Sequence, residues 1–276
     1  MTVANRSVLI TGCSSGIGLA CARGMQARGW RVFATARKPD DLARLAASGL
    51  EALPLELREA TSIEACARAV LERTDGKLTA LFNNAAYGQP GAVEDLTPAV
   101  LKAQFEVNLF GTHALTRAIL PAMRRQGFGR IVQCSSVLGL VSPPYRGAYN
   151  ATKFALEALS DAMRHELAGS GIAIALIEPG PITSRFVEHA LGHFRTNIDI
   201  ERSAHCETYK RRLAAMEKGG KQTFKLEPEA VLAKLVHALE SPRPKRRYYV
   251  TIPTYLVVVG RRLLPAAIAD RFIRTF

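Results

Sequence analysis

The sequence predicts one α/β domain: a doubly wound, seven-stranded parallel sheet with helices on both faces and a helical lid over its ligand crevice. Three observations predict it. Seven apolar, β-rich runs recur along the 276 residues, helical stretches lie between them, and no linker-like composition shift or internal repeat divides the chain. Near-continuous apolar strands are buried on both faces, as in parallel sheets. Regular strand–helix alternation then implies right-handed crossovers around a single sheet.

The runs are, in order, SVLITG (7–12), RVFATA (31–36), EALPLEL (51–57), LTALFNNA (78–85), GRIVQCSS (129–136), IAIALIEPG (172–180) and RYYVTI (247–252). Between them stand amphipathic stretches such as GIGLACARGMQARG and PAVLKAQFEVNLFGTHALTRAILPAMRRQG. The segment from Ser184 to about Leu226 breaks this rhythm and holds no clear strand. An insertion near the carboxyl end of a strand is a natural lid over the crevice of such a sheet. The expected organisation is a single domain over 1–276, with the lid at about 184–226 and a basic, apolar tail at about 243–276.

Composition narrows the function classes. The chain is 48% hydrophobic and 22% charged, as globular proteins are. Cys13, Cys21, Cys66, Cys134 and Cys206 are scattered singly, without metal-ligand spacing. That pattern predicts no metal and a reducing compartment. The opening MTVANRSVLITG runs straight into a strand and leaves no room for a signal peptide, so a cytoplasmic location is expected.

The formal charge of +13 is unevenly placed: from Glu201 onward 16 Lys/Arg stand against 7 Asp/Glu. Such a balance suits nucleic acid, an anionic membrane or an anionic ligand. No nucleic-acid module motif or aromatic–basic interleaving is present, so nucleic-acid binding is not expected. In the tail, eight basic residues and one acid flank the apolar stretch Tyr248–Gly260, which is too short to span a bilayer. Peripheral association with the inner membrane surface is one reading of it; a last core strand followed by a packed terminal helix or subunit interface is the other.

TGCSSGIG (11–18) follows the first strand and opens the first helix. Gly12 permits a tight turn, Gly16 lets the backbone approach a pyrophosphate, and Gly18 allows close helix–strand packing, with phosphates at the helix N-terminus. The cofactor-binding candidates here are Gly12, Ser14, Ser15, Gly16, Ile17 and Gly18. The second strand ends in ATARK, where an NAD enzyme would place an acid; the positions hold Ala36, Arg37 and Lys38. A carboxylate repels a 2′-phosphate and a guanidinium grips it, so NADP is expected over NAD. Asp40 and Asp41 lie beyond the strand and are expected to start the next helix.

GAYNATKFALEAL (147–159) places Tyr149 and Lys153 one helical turn apart. Alone, that spacing is ordinary on a helix surface. Together with TGCSSGIG (11–18), NNAA (83–86), NLFG (108–111), SSVLG (135–139) and PGPITS (179–184), in this order, the chain resembles the short-chain dehydrogenase/reductase family, a Rossmann-fold family. It is most similar to the hydroxysteroid and retinol dehydrogenase branch and to bacterial NADP-dependent aldehyde and ketone reductases. The resemblance covers nearly the whole chain.

The resemblance implies a catalytic quartet of Asn108, Ser136, Tyr149 and Lys153, with Ser136 preferred over Ser135 because it lies 13 residues before the tyrosine. A carbonyl accepting hydride builds negative charge on oxygen and needs a donor there. Tyr149 would be that acid, with Lys153 lowering its pKa and bonding the nicotinamide ribose, Ser136 holding the carbonyl, and Asn108 fixing a water. Further cofactor contacts implied are Glu56, Leu57, Asn83, Ala85, Pro179, Gly180, Ile182 and Ser184. Three departures accompany these: Ala86 replaces a usual glycine, Glu56 a usual aspartate, and Ser184 a usual threonine for which Thr183 is a substitute.

Within the lid, Phe186, Val187, Leu191 and Phe194 are expected as apolar lining, and Phe186, Ser136 and Tyr149 as substrate contacts. Arg185, Arg195 and the KRR at 210–212 are available to bind an anion, although a solvated face is expected for KRR. The reaction implied is NADP(H)-dependent hydride transfer to an apolar aldehyde or ketone, or from the corresponding alcohol, in a homodimer or homotetramer. The alternatives are a non-catalytic NADP-binding sensor and a membrane-associated regulatory protein.

Overall fold

A computed structural model describes residues 6–217 and 224–273. Residues 218–223 of the expected lid, residues 274–276 of the tail and the first five residues lie outside the described residues. The strands are β1 (Ser7–Ile10), β2 (Arg31–Ala36), β3 (Glu51–Pro54), β4 (Ala80–Asn83), β5 (Gly129–Cys134), β6 (Ile172–Glu178) and β7 (Arg247–Tyr249). All pair in parallel, in the order β3-β2-β1-β4-β5-β6-β7. The expected seven-stranded doubly wound sheet is what forms.

Helices α1 (Gly16–Ala27), α2 (Pro39–Ala47), α3 (Ala60–Arg73), α4 (Pro98–Phe105), α5 (Thr112–Gln126) and α6 (Gly147–Glu166) supply the first crossovers. One face of the sheet packs Val8, Ile10, Phe82 and Val132 against Met25 of α1 and Leu235 of α9 (Glu229–Glu240). The other packs Leu9, Phe33, Leu81 and Ile131 against Val70 of α3 and Ile119 of α5. Successive residues of β1 thus enter opposite cores, and this is why the run is apolar throughout. Asp40 and Asp41 fall in the first turn of α2, beside its favourable N-terminal dipole.

Most of the predicted strands run past their observed ends. SVLITG, EALPLEL, LTALFNNA, GRIVQCSS and IAIALIEPG end in residues such as Thr11–Gly12, Asn84–Ala85, Ser135–Ser136 and Pro179–Gly180, which leave the sheet and form the loops at its carboxyl edge. The last run stops at Tyr249, since Pro253 opens a helix, α10 (Ile252–Leu263), followed by α11 (Ala266–Ile273). The lid comprises α7 (Phe186–Asn197) and α8 (Cys206–Glu217). A small cluster of Ala92, Phe194, Ile198 and Tyr209 anchors it to the body.

The long helical stretch after β4 is interrupted. Between α4 and α5, residues Glu106–Gly111 form a widened π-helical turn. Such bulges insert an extra residue and re-aim side chains, commonly at functional sites. Here Asn108 sits in the middle of it.

Candidate active site

The strand order reverses between β1 and β4, and a doubly wound sheet holds its ligand outside the carboxyl ends at that point. The turn after β1 occupies this corner. Gly12 has φ +74° and Gly16 φ +55°, both in the left-handed region that favours glycine. A Cβ on Gly18 would lie 2.1 Å from the Gly12 carbonyl oxygen, so helix and turn touch through bare backbone. Ser15 precedes α1 in extended backbone without a capping bond from its side chain, and the first turn of α1 carries no acid. Open N–H groups at a helix N-terminus, approached through a cradle without side-chain bulk, fit the pyrophosphate of a dinucleotide. Ser14 is half-buried in the same turn, and Ile17 packs down onto the core.

Two residues not anticipated as site residues hold this cradle. The Thr11 hydroxyl accepts the N–H groups of Asn84 and Ala85, both at 2.9 Å. The Asn84 amide donates to the carbonyl oxygens of Thr11 at 2.9 Å and Gly12 at 3.3 Å. Asn83, expected beside the adenosine, instead gives its amide to the Thr116 hydroxyl of α5 at 2.9 Å. Alternation along β4 sends the side chain of Asn83 to the helix face, and its neighbour Asn84 does the cross-bracing.

At the outer end of the crevice, Arg37 is largely exposed, 3.8 Å from Glu56, and Lys38 is exposed at the start of α2. Glu56 is gripped by Arg58, whose Nε and Nη2 donate to its carboxylate at 3.2 and 3.0 Å. Burial works to raise the Glu56 pKa, but its bonds to Arg58 and the charges of Arg58 and Arg37 hold it below the usual carboxylate value. The corner is therefore net basic, with Arg58 an addition that the sequence did not single out. Leu57 is buried, and its carbonyl packs on Gly111, where a Cβ would lie 2.0 Å from the oxygen.

The chemical end is built from α6, the β5 exit and the π-helical turn. Tyr149 and Lys153 occupy the first two turns of α6 and are both buried. Lys153 Nζ donates to the Cys134 carbonyl at 2.7 Å and stands 5.6 Å from the Tyr149 ring centre. The Ser136 hydroxyl donates to the Pro179 carbonyl at 3.5 Å and accepts the Leu138 N–H at 3.1 Å, near enough to Tyr149 to favour its ionised form. Ser135 faces elsewhere: its Oγ lies beside Gly139 and Glu157. Asn108 clamps the main chain of Tyr87, accepting its N–H at 3.1 Å and donating to its carbonyl at 2.9 Å. The same amide donates to Thr152 Oγ1 on α6 at 3.3 Å.

The expected tuning of Tyr149 by Lys153 is not what the structure shows. Burial pushes the Tyr149 pKa well above its ordinary value, with the Ser136 hydrogen bond and the Arg146 guanidinium acting in the opposite sense. Lys153 directs its ammonium to a carbonyl rather than to the phenol oxygen, and burial lowers its own pKa.

Above this end lies the loop after β6. The Pro179 carbonyl accepts the Val137 N–H at 2.8 Å, and a Cβ on Gly180 would lie 2.1 Å from Thr251 Oγ1. Ile182 bridges to Leu226 at the far end of the lid. Ser184 Cβ lies 3.0 Å from the Cβ position of Gly16, over the glycine turn, whereas Thr183 bonds Glu227 at 2.8 Å in an exposed position. Of the apolar lid residues, Phe186 packs edge-on against Tyr149, ring centres 5.3 Å apart. Phe194 is buried in the lid anchor and Val187 faces solvent, so neither lines the site as expected.

The short chain dehydrogenase family matches residues 6–192. The chain is 43% identical over 272 residues to the uncharacterized oxidoreductase YbbO of Escherichia coli K12, covering 99% of this chain and 95% of that one. It is 34% identical over 264 residues to human 17-beta-hydroxysteroid dehydrogenase type 1, covering 90% and 78%. A crystal structure of a short-chain dehydrogenase from Streptomyces avermitilis superposes with a TM-score of 0.78 at 29% identity, covering 100% and 98%. With a dinucleotide cradle at the sheet's switch point and these relatives over nearly its full length, the chain belongs to the short-chain dehydrogenase/reductase family and is an oxidoreductase.

Proposed function

We propose that this protein is an NADP(H)-dependent reductase of apolar aldehydes or ketones, able to run in reverse on the alcohols. The observation that supports the reading is the convergence of buried Tyr149, Lys153 and Ser136 in the fold of a family whose dinucleotide cradle this chain carries, with Phe186 of the lid edge-on to Tyr149 at 5.3 Å. A bound nicotinamide supplies the hydride. Tyr149 gives its proton to the carbonyl oxygen as negative charge develops there. Ser136 holds that oxygen by donating from its own hydroxyl. The nearby Lys153 ammonium would stabilise the phenolate left on Tyr149, which regains its proton from solvent water, and the same group would hydrogen-bond the ribose of a bound nucleotide. Because the Asn108 side chain is committed to Tyr87 and Thr152, a relaying water is held by main-chain groups of the π-helical turn. Gly12, Gly16, Gly18 and Ser184 hold the dinucleotide backbone, and Arg37 with Arg58 receives the 2′-phosphate.

The test is nicotinamide oxidation with a panel of lipophilic aldehydes and ketones, wild type against Tyr149→Phe. Loss of the proton donor is expected to lower kcat by roughly 10²–10⁴-fold with the NADPH affinity retained. Equal turnover in the two proteins overturns the role of Tyr149, and nucleotide binding without any turnover favours the sensor reading.

A second reading, of the tail, adds to the first. Ile252, Tyr255, Leu256, Val259 and Leu263 form one exposed stripe along α10, while Thr254 and Val257 of the same helix are buried. The turn before β7 carries Arg243, Lys245 and Arg246, while Arg261 of the helix turns inward to the Leu140 carbonyl at 2.7 Å. An exposed apolar stripe in a basic chain segment is complementary to an anionic bilayer surface. No helix among the described residues is long and apolar enough to cross a membrane. We therefore take α10 and α11 as a peripheral lipid-docking face.

A further inference from the structure

One stripe of the lid helix α7 rests on the segment Tyr87–Gln89 of the loop after β4. Phe186, Ala190, His193 and Asn197 recur at helical spacing and so stand one above the other on α7. A Cβ on Gly88 would lie 2.9 Å from Phe186 Cζ and 3.6 Å from Ala190 Cβ, so the helix touches bare backbone there. The rings of His193 and Tyr87 stack with centres 4.4 Å apart and planes tilted by 38°. Asn197 Nδ2 donates to Gln89 Oε1 at 2.7 Å. Burial, and next the charge of Arg37, lower the His193 pKa, so the ring that meets Tyr87 is a neutral imidazole.

The same segment is fastened from below. The Tyr87 carbonyl accepts the Gln104 amide of α4 at 2.6 Å and the Asn108 amide at 2.9 Å, while its N–H donates to Asn108 Oδ1 at 3.1 Å. Gln104 and Asn108 are both buried, so these bonds are shielded from water. Beyond Asn108 the bonds run on to α6: the amide donates to Thr152 Oγ1 at 3.3 Å, and that hydroxyl donates to the Tyr149 carbonyl at 2.8 Å. Tyr87 thus meets the lid through its ring and the π-helical turn through its main chain. Phe194, the other aromatic of α7, stacks instead on Tyr209 of α8, ring centres 5.0 Å apart.

We propose that Tyr87 is a positioning residue: the seating of α7 on its ring through His193 fixes the π-helical turn and the first turn of α6, and so sets the placement of Tyr149. The lid then acts on Tyr149 by two routes. Phe186 touches its ring directly, and the Tyr87–Asn108–Thr152 bonds hold its main chain. Slight misplacement of a reacting group is costly in rate, which gives the indirect route a kinetic consequence. That consequence rests on the reading of Tyr149 as the acid at the carbonyl; the mechanical link does not.

The experiment has one arm with turnover and one without. With NADPH and a lipophilic aldehyde, Tyr87→Ala and His193→Ala are each expected to lower kcat by roughly 10–100-fold, with KM for NADPH held within about threefold. Both variants remove one stack, so the double variant should lose no more than the worse single one, and His193→Phe, which restores a ring, should recover most of the loss. Additive losses, or no recovery by phenylalanine, overturn the proposal. The second arm follows backbone amide hydrogen exchange in the NADP-loaded protein. His193→Ala is expected to speed exchange by about tenfold in Glu106–Gly111 as well as in α7, whereas Asn197→Ala, which frees the far end of the same helix, should loosen α7 alone. Unchanged exchange at 106–111 in His193→Ala overturns the link, and an equal response to Asn197→Ala overturns the part of Tyr87 in it. Transmitted exchange with no turnover of any carbonyl refutes the reductase reading and leaves the link standing.

Discussion

Glu178→Gln tests the buried charge cluster that ties α6, the helix carrying Tyr149, to β6 and β7. Arg247 enters this cluster among three carboxylates, bonding Glu157 of α6, Glu178 Oε1 at 2.9 Å and Asp161 Oδ2 at 2.7 Å. The second oxygen of Glu178 accepts the Tyr248 N–H at 3.1 Å. Glu178 is fully buried, and with Asp161 shared with Arg164, the single guanidinium of Arg247 faces two buried carboxylates that it cannot both neutralise. Burial, and next the charge of Glu157, push the Glu178 carboxyl up from 4.5 to about 8, against the pull of Arg247. Burial raises Glu157 as well.

The sign follows from proton counts. Between about pH 4.5 and 8 the unfolded carboxyl has lost its proton while the folded one keeps it. Stability therefore falls as pH rises through this window. At 1.36 kcal/mol per pH unit the whole rise is worth at most roughly 5 kcal/mol. Because Glu157 and Glu178 titrate as a pair, a few kcal/mol is the expected share. At roughly 2–4 °C per kcal/mol for a domain near this size, the wild-type Tm should drop by roughly 6–12 °C between pH 5.5 and 8.5. Glutamine keeps the shape and needs no proton, so the drop in Glu178→Gln should be less than half as large. Calorimetric scans of both proteins at three pH values measure it. Parallel Tm–pH curves would refute the reasoning, since the other titrating groups are common to both.

Two other outcomes are expected. Arg37→Ala should raise KM for NADPH by about 10–100-fold, the worth of a charge-assisted hydrogen bond to phosphate, and leave KM for NADH within a few-fold; equal effects on both nucleotides sink the 2′-phosphate role. Wild type should pellet with anionic phosphatidylserine vesicles at low salt and less at high salt, whereas Leu256→Glu/Val259→Glu should stay in the supernatant; no pelleting of wild type at low salt, or a dimer by size exclusion that the double variant dissolves, assigns the stripe to a second copy of the chain instead.

Part of the site is legible in the chain because its parts are local. The glycine turn needs three glycines within one βα connection, and Tyr149 and Lys153 meet because a helix turn joins them. Other parts depend on contacts between distant segments. Asn84 rather than Asn83 braces the turn because β4 pleats in a particular register against β1, Asn83 being left to Thr116. Thr183 and Ser184 are chemically equivalent in sequence; the loop's path puts one on Glu227 and the other over Gly16. The lid's apolar residues divide the same way, Phe186 at Tyr149 and Phe194 in the anchor, because α7 has two covered faces.

The sequence by itself determined the sheet, the lid's place and the family, since strand–helix periodicity and short spaced motifs are properties of neighbouring residues. Only the tertiary structure decided how the charges behave. Burial depth and counter-ion supply are set by segments far apart in the chain, and both enter a pKa directly. That is why burial pushes the Tyr149 pKa up in spite of a lysine one turn away. It is also why Glu178, an ordinary strand-end acid as a letter, has its carboxyl pushed up to about 8 once it is buried beside Glu157.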